Sequence, residues 1–189
     1  MRTLHMGWVL HRKFKNGVFE KNKGRLVAQG NHQRPSINYG KSFSPIMCLK
    51  SLCTILTLVA MCNLDVIQFN ITSAYLHGML KEEIYMEQPE GYVTPGKDDW
   101  VWHLKKGLYG LVQARRTWNK ELNAHMKSEG FTATPKDPAI YTKNSWSDDG
   151  FAAAGFWVDD CVAIGSRQVL TSLVKSVDAK YGIMGLGEV

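Results

Sequence analysis

What the chain lacks narrows its class first. No stretch approaches the roughly 20 apolar residues that a membrane-spanning helix needs; the longest candidate, Ile55 to Cys62, is far shorter. The opening MRTLHMGWVLHRKFK has no basic, apolar and small-residue succession of a secretory signal. The expected setting is therefore intracellular, with no membrane partner. The four cysteines, Cys48, Cys53, Cys62 and Cys161, form no CxxC pair, and the six histidines are scattered. Zinc needs clustered ligands at short spacing, so that class falls away, and a disulfide framework is not expected in a chain of 189 residues. Internal repeats and low-complexity tracts are absent as well. Acids are scarce at one end only: residues 1–50 hold a single one, Glu20.

That scarcity sets the charge pattern. Against Glu20 stand ten basic residues, Arg2, Arg12, Lys13, Lys15, Lys21, Lys23, Arg25, Arg34, Lys41 and Lys50, a balance of +9. The other 139 residues hold 13 basic and 16 acidic side chains, a balance of −3. A basic segment ahead of a mildly acidic body suits a polyanion held over a site that binds cations. A solvated basic surface without a partner explains the same numbers. With 44% hydrophobic residues the chain can bury a core of its own.

Local patterns predict an α+β chain. GWVLHRKF and GRLVAQG read as strands around the Asn16-Gly17 turn signal, a hairpin over residues 7–28. NHQRPSINYGKSFSP is an irregular connector. Leu49, Leu52, Cys53, Leu56, Val59 and Ala60 mark one apolar face of a helix that Asn63 ends. Ile67, Phe69 and Ile71 share a strand face, with Gln68 and Asn70 on the other, and SAYL begins a turn or short helix. MEQPEGYVTPGKDD is predicted as a loop and WVWHL as a strand. A helix follows from Gln113 to Glu129, closed by Gly130. AIYTK and FAAAGFWV are strands around NSWSDDG, then comes the strand CVAIG, and a helix spans Ser166 to Tyr181. The order gives a small antiparallel sheet backed by helices, close to a split βαβ, ferredoxin-like arrangement.

Within GFWVDDCVAIG, two carboxylates interrupt apolar strand. Two readings stand at this point. Asp159 and Asp160 are either the solvated tip of a hairpin or part of a divalent-metal site, which would need another ligand from a neighbouring strand end.

The blocks KGRLVAQGNHQRPSINYGKSFSP, LDVIQFNITSAYLHGMLKEEIYMEQPEGY, LKKGLYGLVQARRTWN and FWVDDCVAIG, in this order, resemble the reverse transcriptase of Ty1/copia-type retrotransposons over nearly the whole chain. The resemblance implies a right-hand polymerase, one domain over 1–189, with a basic fingers-like hairpin at 1–48 and a palm with inserted fingers elements at 49–189. It implies an RNA or DNA template–primer duplex and a deoxynucleoside triphosphate as partners, two Mg²⁺ or Mn²⁺ ions as cofactors, and a cytoplasmic, particle-associated or nuclear setting. By the same resemblance Asp159, Asp160 and position 70 hold the metals, and Lys23 and Arg25 face the triphosphate. Tyr75 blocks a ribose 2′-hydroxyl, and Gln113 packs near the template and nucleotide base.

The chain departs from the family pattern at telling places. Position 70, where the family has Asp, is Asn, which can coordinate but brings no charge, so weak or absent turnover is expected. Cys48 and Cys53 replace arginines, Asn38 an Asp, Asn31 an aromatic, Arg115 a small residue or Pro, and Trp157 a Tyr. Several of these exchanges are single transitions, as in a decaying element copy. After GLGE the family continues into more palm, a thumb and a ribonuclease H region, so the expectation is a truncated fragment whose thumb is missing or comes from another polypeptide. The rival expectations are a non-catalytic nucleic-acid-binding relic and a fragment without function.

Overall fold

The structure is a computed structural model that describes residues 3–144 and 150–188. It divides into two compact units, Met1–Phe43 with Gly78–Trp118, and Ser44–His77 with Asn119–Val189.

The first unit is built on two antiparallel pairs. Strands β1 (Met6–Lys15) and β2 (Val18–Ala28) form a hairpin closed by Asn16 and Gly17, at φ 51° and 79°. Two positive φ values in succession are what a twisted two-residue hairpin turn demands. Strand β4 (Met79–Glu87) pairs with β5 (Val101–Lys106). Met86 and Glu87 thus belong to a strand, not to the predicted loop, because Ile84 and Met86 alternate into the core at 1% and 0% exposure. Leu4 stitches the pairs together, donating its N–H to the Tyr85 carbonyl at 2.8 Å and accepting from Glu87 N–H at 3.0 Å. Leu4, Ala28, Ile84, Met86 and Leu111 form this unit's core.

The second unit is a six-stranded antiparallel sheet. In chain order its strands are β3 (Asp65–Ile71), β6 (Thr132–Ala133), β7 (Ile140–Asn144), β8 (Phe151–Trp157), β9 (Asp160–Gly165) and β10 (Ile183–Glu188). Across the sheet they run β10-β3-β9-β8-β7-β6. The predicted turn NSWSDDG falls largely outside the described residues. Three helices accompany the strands: α1 (Leu49–Cys62), α2 (Ala114–Ser128), which begins in the first unit, and α3 (Arg167–Tyr181). Among the described residues no helix is long and apolar enough to cross a membrane.

One sheet face carries Ile140, Ala153 and Ile164, which cluster with Met47 and with Ile55 of α1. Gly155 lies on the same face, and a side chain there would collide with Met47. Residues one position away, such as Tyr141, Ala154 and Ala163, are buried on the opposite face. Helix α3 packs on β3, β8 and β9 through a stripe of Leu170, Leu173 and Val177. The buried face of α1 differs from its sequence reading. It centres on Ile55, flanked by Leu52 and Val59, while Leu49 and Leu56 remain 72% and 46% exposed. Apolar residues cover most of this helix, so periodicity alone could not choose the side that packs.

Helix α1 starts without a cap of its own. Asp137, just before β7, accepts from Cys48 N–H at 2.9 Å and from the Ser51 hydroxyl at 2.7 Å. Burial raises the Asp137 carboxyl, but these donors and Ala139 N–H outweigh it and hold it below its ordinary value. Asn63 ends the helix in the left-handed region at φ 49°.

Candidate active site

Strands β3 and β9 pair antiparallel, with Asn70 directly opposite Asp160. Pleat alternation buries Ile67, Phe69 and Ile71 and leaves Asn70 half-exposed on the other face. The Asn70 amide donates to Asp160 Oδ1 at 3.0 Å. A carboxylate only accepts, so the NH₂ must face it and the amide oxygen points elsewhere. Just beyond this pair, Ile71 N–H donates to the Asp159 carbonyl at 2.7 Å, which binds the hairpin tip to the end of β3.

The tip itself is strained. Trp157 pairs with Asp160, so Val158 and Asp159 form a two-residue turn, and Val158 sits at φ 61°. A β-branched residue in the left-handed region costs roughly 1–3 kcal/mol and persists only where its surroundings impose it. The turn leaves Asp159 half-buried and Asp160 exposed. Behind them Cys161 is fully buried, and burial together with the Asp160 charge pushes its thiol well above the ordinary range. It stays a neutral thiol.

The oxygen donors suit a hard divalent cation, which takes carboxylates and amide carbonyls. Among the described residues no three His, Cys, Asp or Glu side chains group as a metal ligand set. The side chain facing Asp160 is the Asn70 amide, which turns its NH₂ to the carboxylate, so two formal charges are present where three carboxylates would give three.

Tyr75 follows on a short 3₁₀ turn, Ala74–His77, and is half-buried. Asn70, Tyr75, Asp159 and Asp160 thus all lie in the second unit.

Lys23, Arg25 and Gln113 lie in the first unit. Lys23 and Arg25 occupy alternate positions of β2 and so share one hairpin face. Lys13, Lys15 and Lys21 lie on the same face, and Lys13 is directly opposite Lys21. Like charges so placed repel, so the face is favourable to a polyanion. The Arg25 guanidinium also stacks 5.7 Å from the Tyr109 ring centre.

Gln113 is 1% exposed, and both ends of its amide are used inside the protein. It accepts from Gln33 Nε2 at 3.0 Å and donates to the Asn38 carbonyl at 3.0 Å. Gln33, itself buried, also accepts from Val112 N–H at 2.8 Å. The sequence reading missed Gln33, which sits in a connector without periodicity and 80 positions from its partner.

The family described as reverse transcriptase (RNA-dependent DNA polymerase) matches residues 1–189. The chain is similar to the retrovirus-related Pol polyprotein from transposon TNT 1-94 of Nicotiana tabacum, with 40% identity over 176 residues, 92% of this chain and 13% of that protein. It is also similar to the retrovirus-related Pol polyprotein from transposon RE2 of Arabidopsis thaliana, with 32% identity over 164 residues, 86% of this chain and 11% of that protein. With the transposon Ty1-NL2 Gag-Pol polyprotein of Saccharomyces cerevisiae it shares 28% identity over 192 residues, 99% of this chain and 10% of that protein. The chain therefore spans 13% or less of the length of these relatives. It belongs to the reverse transcriptase (RNA-dependent DNA polymerase) family, among the reverse transcriptase domains of Ty1/copia-type retrotransposon Pol polyproteins.

Proposed function

We propose that this chain is the fingers-and-palm part of a template-directed deoxynucleotidyl transferase whose metal site is weakened by Asn70. The observation that carries the reading is the facing of Asn70 and Asp160 across β3 and β9, beside the strained turn that holds Asp159. Asp159 and Asp160 would hold Mg²⁺ or Mn²⁺ through carboxylate oxygens, and the Asn70 oxygen would join them as the uncharged ligand once the amide turns over from its bond to Asp160. Bound divalent cations would supply charge neutralisation at the attacking 3′-hydroxyl and the leaving pyrophosphate. The protein's own part is placement, for which a rigid strand pair is well suited.

In this reading the second unit is the palm, with Tyr75 meeting the nucleotide sugar. The first unit is the fingers, with Lys23 and Arg25 facing triphosphate oxygens. Gln113 acts through the Gln33–Gln113–Asn38 network, as a support beneath the surface that meets the template base. RNA or DNA template–primer duplex and deoxynucleotide are the partners. A second reading, a non-catalytic nucleic-acid binder, is favoured by the opposed Lys13 and Lys21, which need no metal to act.

Primer extension in Mg²⁺ and in Mn²⁺ separates the two, with the unchanged chain and Asn70→Asp side by side. Restored synthesis in Asn70→Asp supports the transferase. Silence in both, with steeply salt-dependent duplex binding, supports the binder. Neither synthesis nor binding sinks both readings.

A further inference from the structure

The segment that follows β3 is held by a side chain to which none of the roles above gives a part. From Ile71, fully buried, the chain passes Ser73 at φ 51° and enters the single 3₁₀ turn Ala74–His77 that bears Tyr75. One such turn has poor hydrogen-bond geometry and little stability of its own. A non-glycine residue in the left-handed region adds strain, so the conformation depends on what surrounds it.

Three bonds fix it. Thr72 N–H donates to the Gly182 carbonyl at 3.0 Å, and Leu76 N–H donates to the Ser73 carbonyl at 2.8 Å. The third is a side-chain bond: His77 Nε2 lies 2.9 Å from the Thr72 carbonyl oxygen. That oxygen can only accept, so Nε2 carries the proton. The bond joins the two ends of the turn and brackets Tyr75 between them.

The imidazole is itself oriented from outside the turn. Its ring meets Tyr181 edge-on, with centres 5.0 Å apart at 65°. Tyr181, the last residue of α3, is 5% exposed, and its ring meets His125 of α2 edge-on at 5.2 Å. The Tyr181 hydroxyl donates to Glu121 Oε1 at 3.3 Å, and the same oxygen is 2.9 Å from Lys180 Nζ. His125 Nε2 is within 3.3 Å of the Ser176 hydroxyl. The end of α3 therefore holds the turn twice, through the Gly182 backbone and through the Tyr181–His77 ring contact.

We propose that His77 is a positioning residue, which sets the turn bearing Tyr75 by bonding the Thr72 carbonyl from a ring fixed by Tyr181. The functional consequence, control of the fit between Tyr75 and the nucleotide sugar, rests on the reading of Tyr75 given above. The hold on the turn does not. Two variants divide the role of the bond from that of the ring. His77→Gln keeps a donor at a reach close to Nε2, while His77→Phe keeps a ring against Tyr181 and loses the donor.

The first measurement is amide hydrogen exchange on the full chain. In His77→Phe, amides 72–77 are expected to exchange about three- to tenfold faster, the effect of one lost net hydrogen bond. In His77→Gln they are expected to stay near the unchanged rates, with the rest of the sheet unaffected in both. Unchanged protection in His77→Phe overturns the proposal. So does a loss confined to His77→Gln, which assigns the hold to ring packing, or an equal loss in both variants, which leaves the bond no part of its own. The second measurement is the ratio of kcat/KM for deoxy- over ribonucleotides, taken in the Asn70→Asp background with Mn²⁺. That ratio is expected to fall in His77→Phe and to recover in His77→Gln, which a loss of general stability would not produce. If Asn70→Asp makes no product, the transferase reading falls, and the exchange pattern alone decides the role of His77.

Discussion

Replacing Asn70 by Asp tests the site without requiring turnover. The Asn70 amide donates to Asp160 at 3.0 Å, so Asn70→Asp removes a donor and sets a second carboxylate against the first. Two unit charges about 4 Å apart repel by about 1 kcal/mol at the dielectric of water and about 4 kcal/mol at an effective value near 20. Asp160 is exposed and Asn70 half-exposed, so the lower half of that range applies. The lost bond to a charged acceptor adds about 1.5 kcal/mol or more. At about 2–4 °C per kcal/mol for a chain of this size, Asn70→Asp should lower the melting temperature by about 5–10 °C in EDTA. Millimolar Mg²⁺ or Mn²⁺ should restore most of the loss, because a cation between the carboxylates turns repulsion into ligation. The unchanged chain should respond to the same metals far less. The assay is thermal denaturation followed by circular dichroism, with and without metal. An Asn70→Asp chain that melts like the unchanged one in EDTA and ignores metal would refute the placing of these side chains.

Other outcomes follow from the same geometry. Lys13→Ala with Lys21→Ala should reduce the slope of log affinity against log salt for duplex DNA by about 2, with little cost to the free protein, since two opposed like charges are removed. Val158→Gly should raise the melting temperature by about 2–4 °C by releasing the positive-φ strain, as read by the same denaturation assay. His125 is held below its ordinary 6.5, first by burial and next by the Lys180 charge, against Glu129 and Glu121. A histidine whose folded value is depressed takes up protons more readily unfolded, so the stability it gives is present above that ordinary value and lost as pH falls below it. Melting curves between pH 7 and 5 should therefore decline less steeply in His125→Gln.

Much of the fold was legible because its signals are local. Asn16-Gly17 marked the first hairpin, and the four-residue repeat of α2 and the apolar residues Leu170, Leu173, Val174 and Val177 of α3 marked helices whose bounds fall within a residue or so of the reading. Strand β4 escaped because Lys81, Glu82 and Glu83 mask an alternation that only Ile84 and Met86 make visible. Strand β10, with Gly185 and Gly187, has too few side chains to show a pattern and is fixed by pairing with β3. In the site, the opposition of Asn70 and Asp160 joins residues 90 positions apart, and the Gln33–Gln113 bond joins residues 80 apart. No local pattern holds such information. The resemblance supplied the candidates, and the strand register shows which of them face one another.

On the proposed reading a polymerase site persists here and is limited by one missing charge. Primer extension on an RNA template with a DNA primer, comparing the unchanged chain with Asn70→Asp in Mn²⁺, tests it most directly. The account predicts product from Asn70→Asp at least about tenfold above the unchanged chain, a factor worth about 1.4 kcal/mol. No product from Asn70→Asp, with the fold and the metal-dependent melting intact, would contradict it.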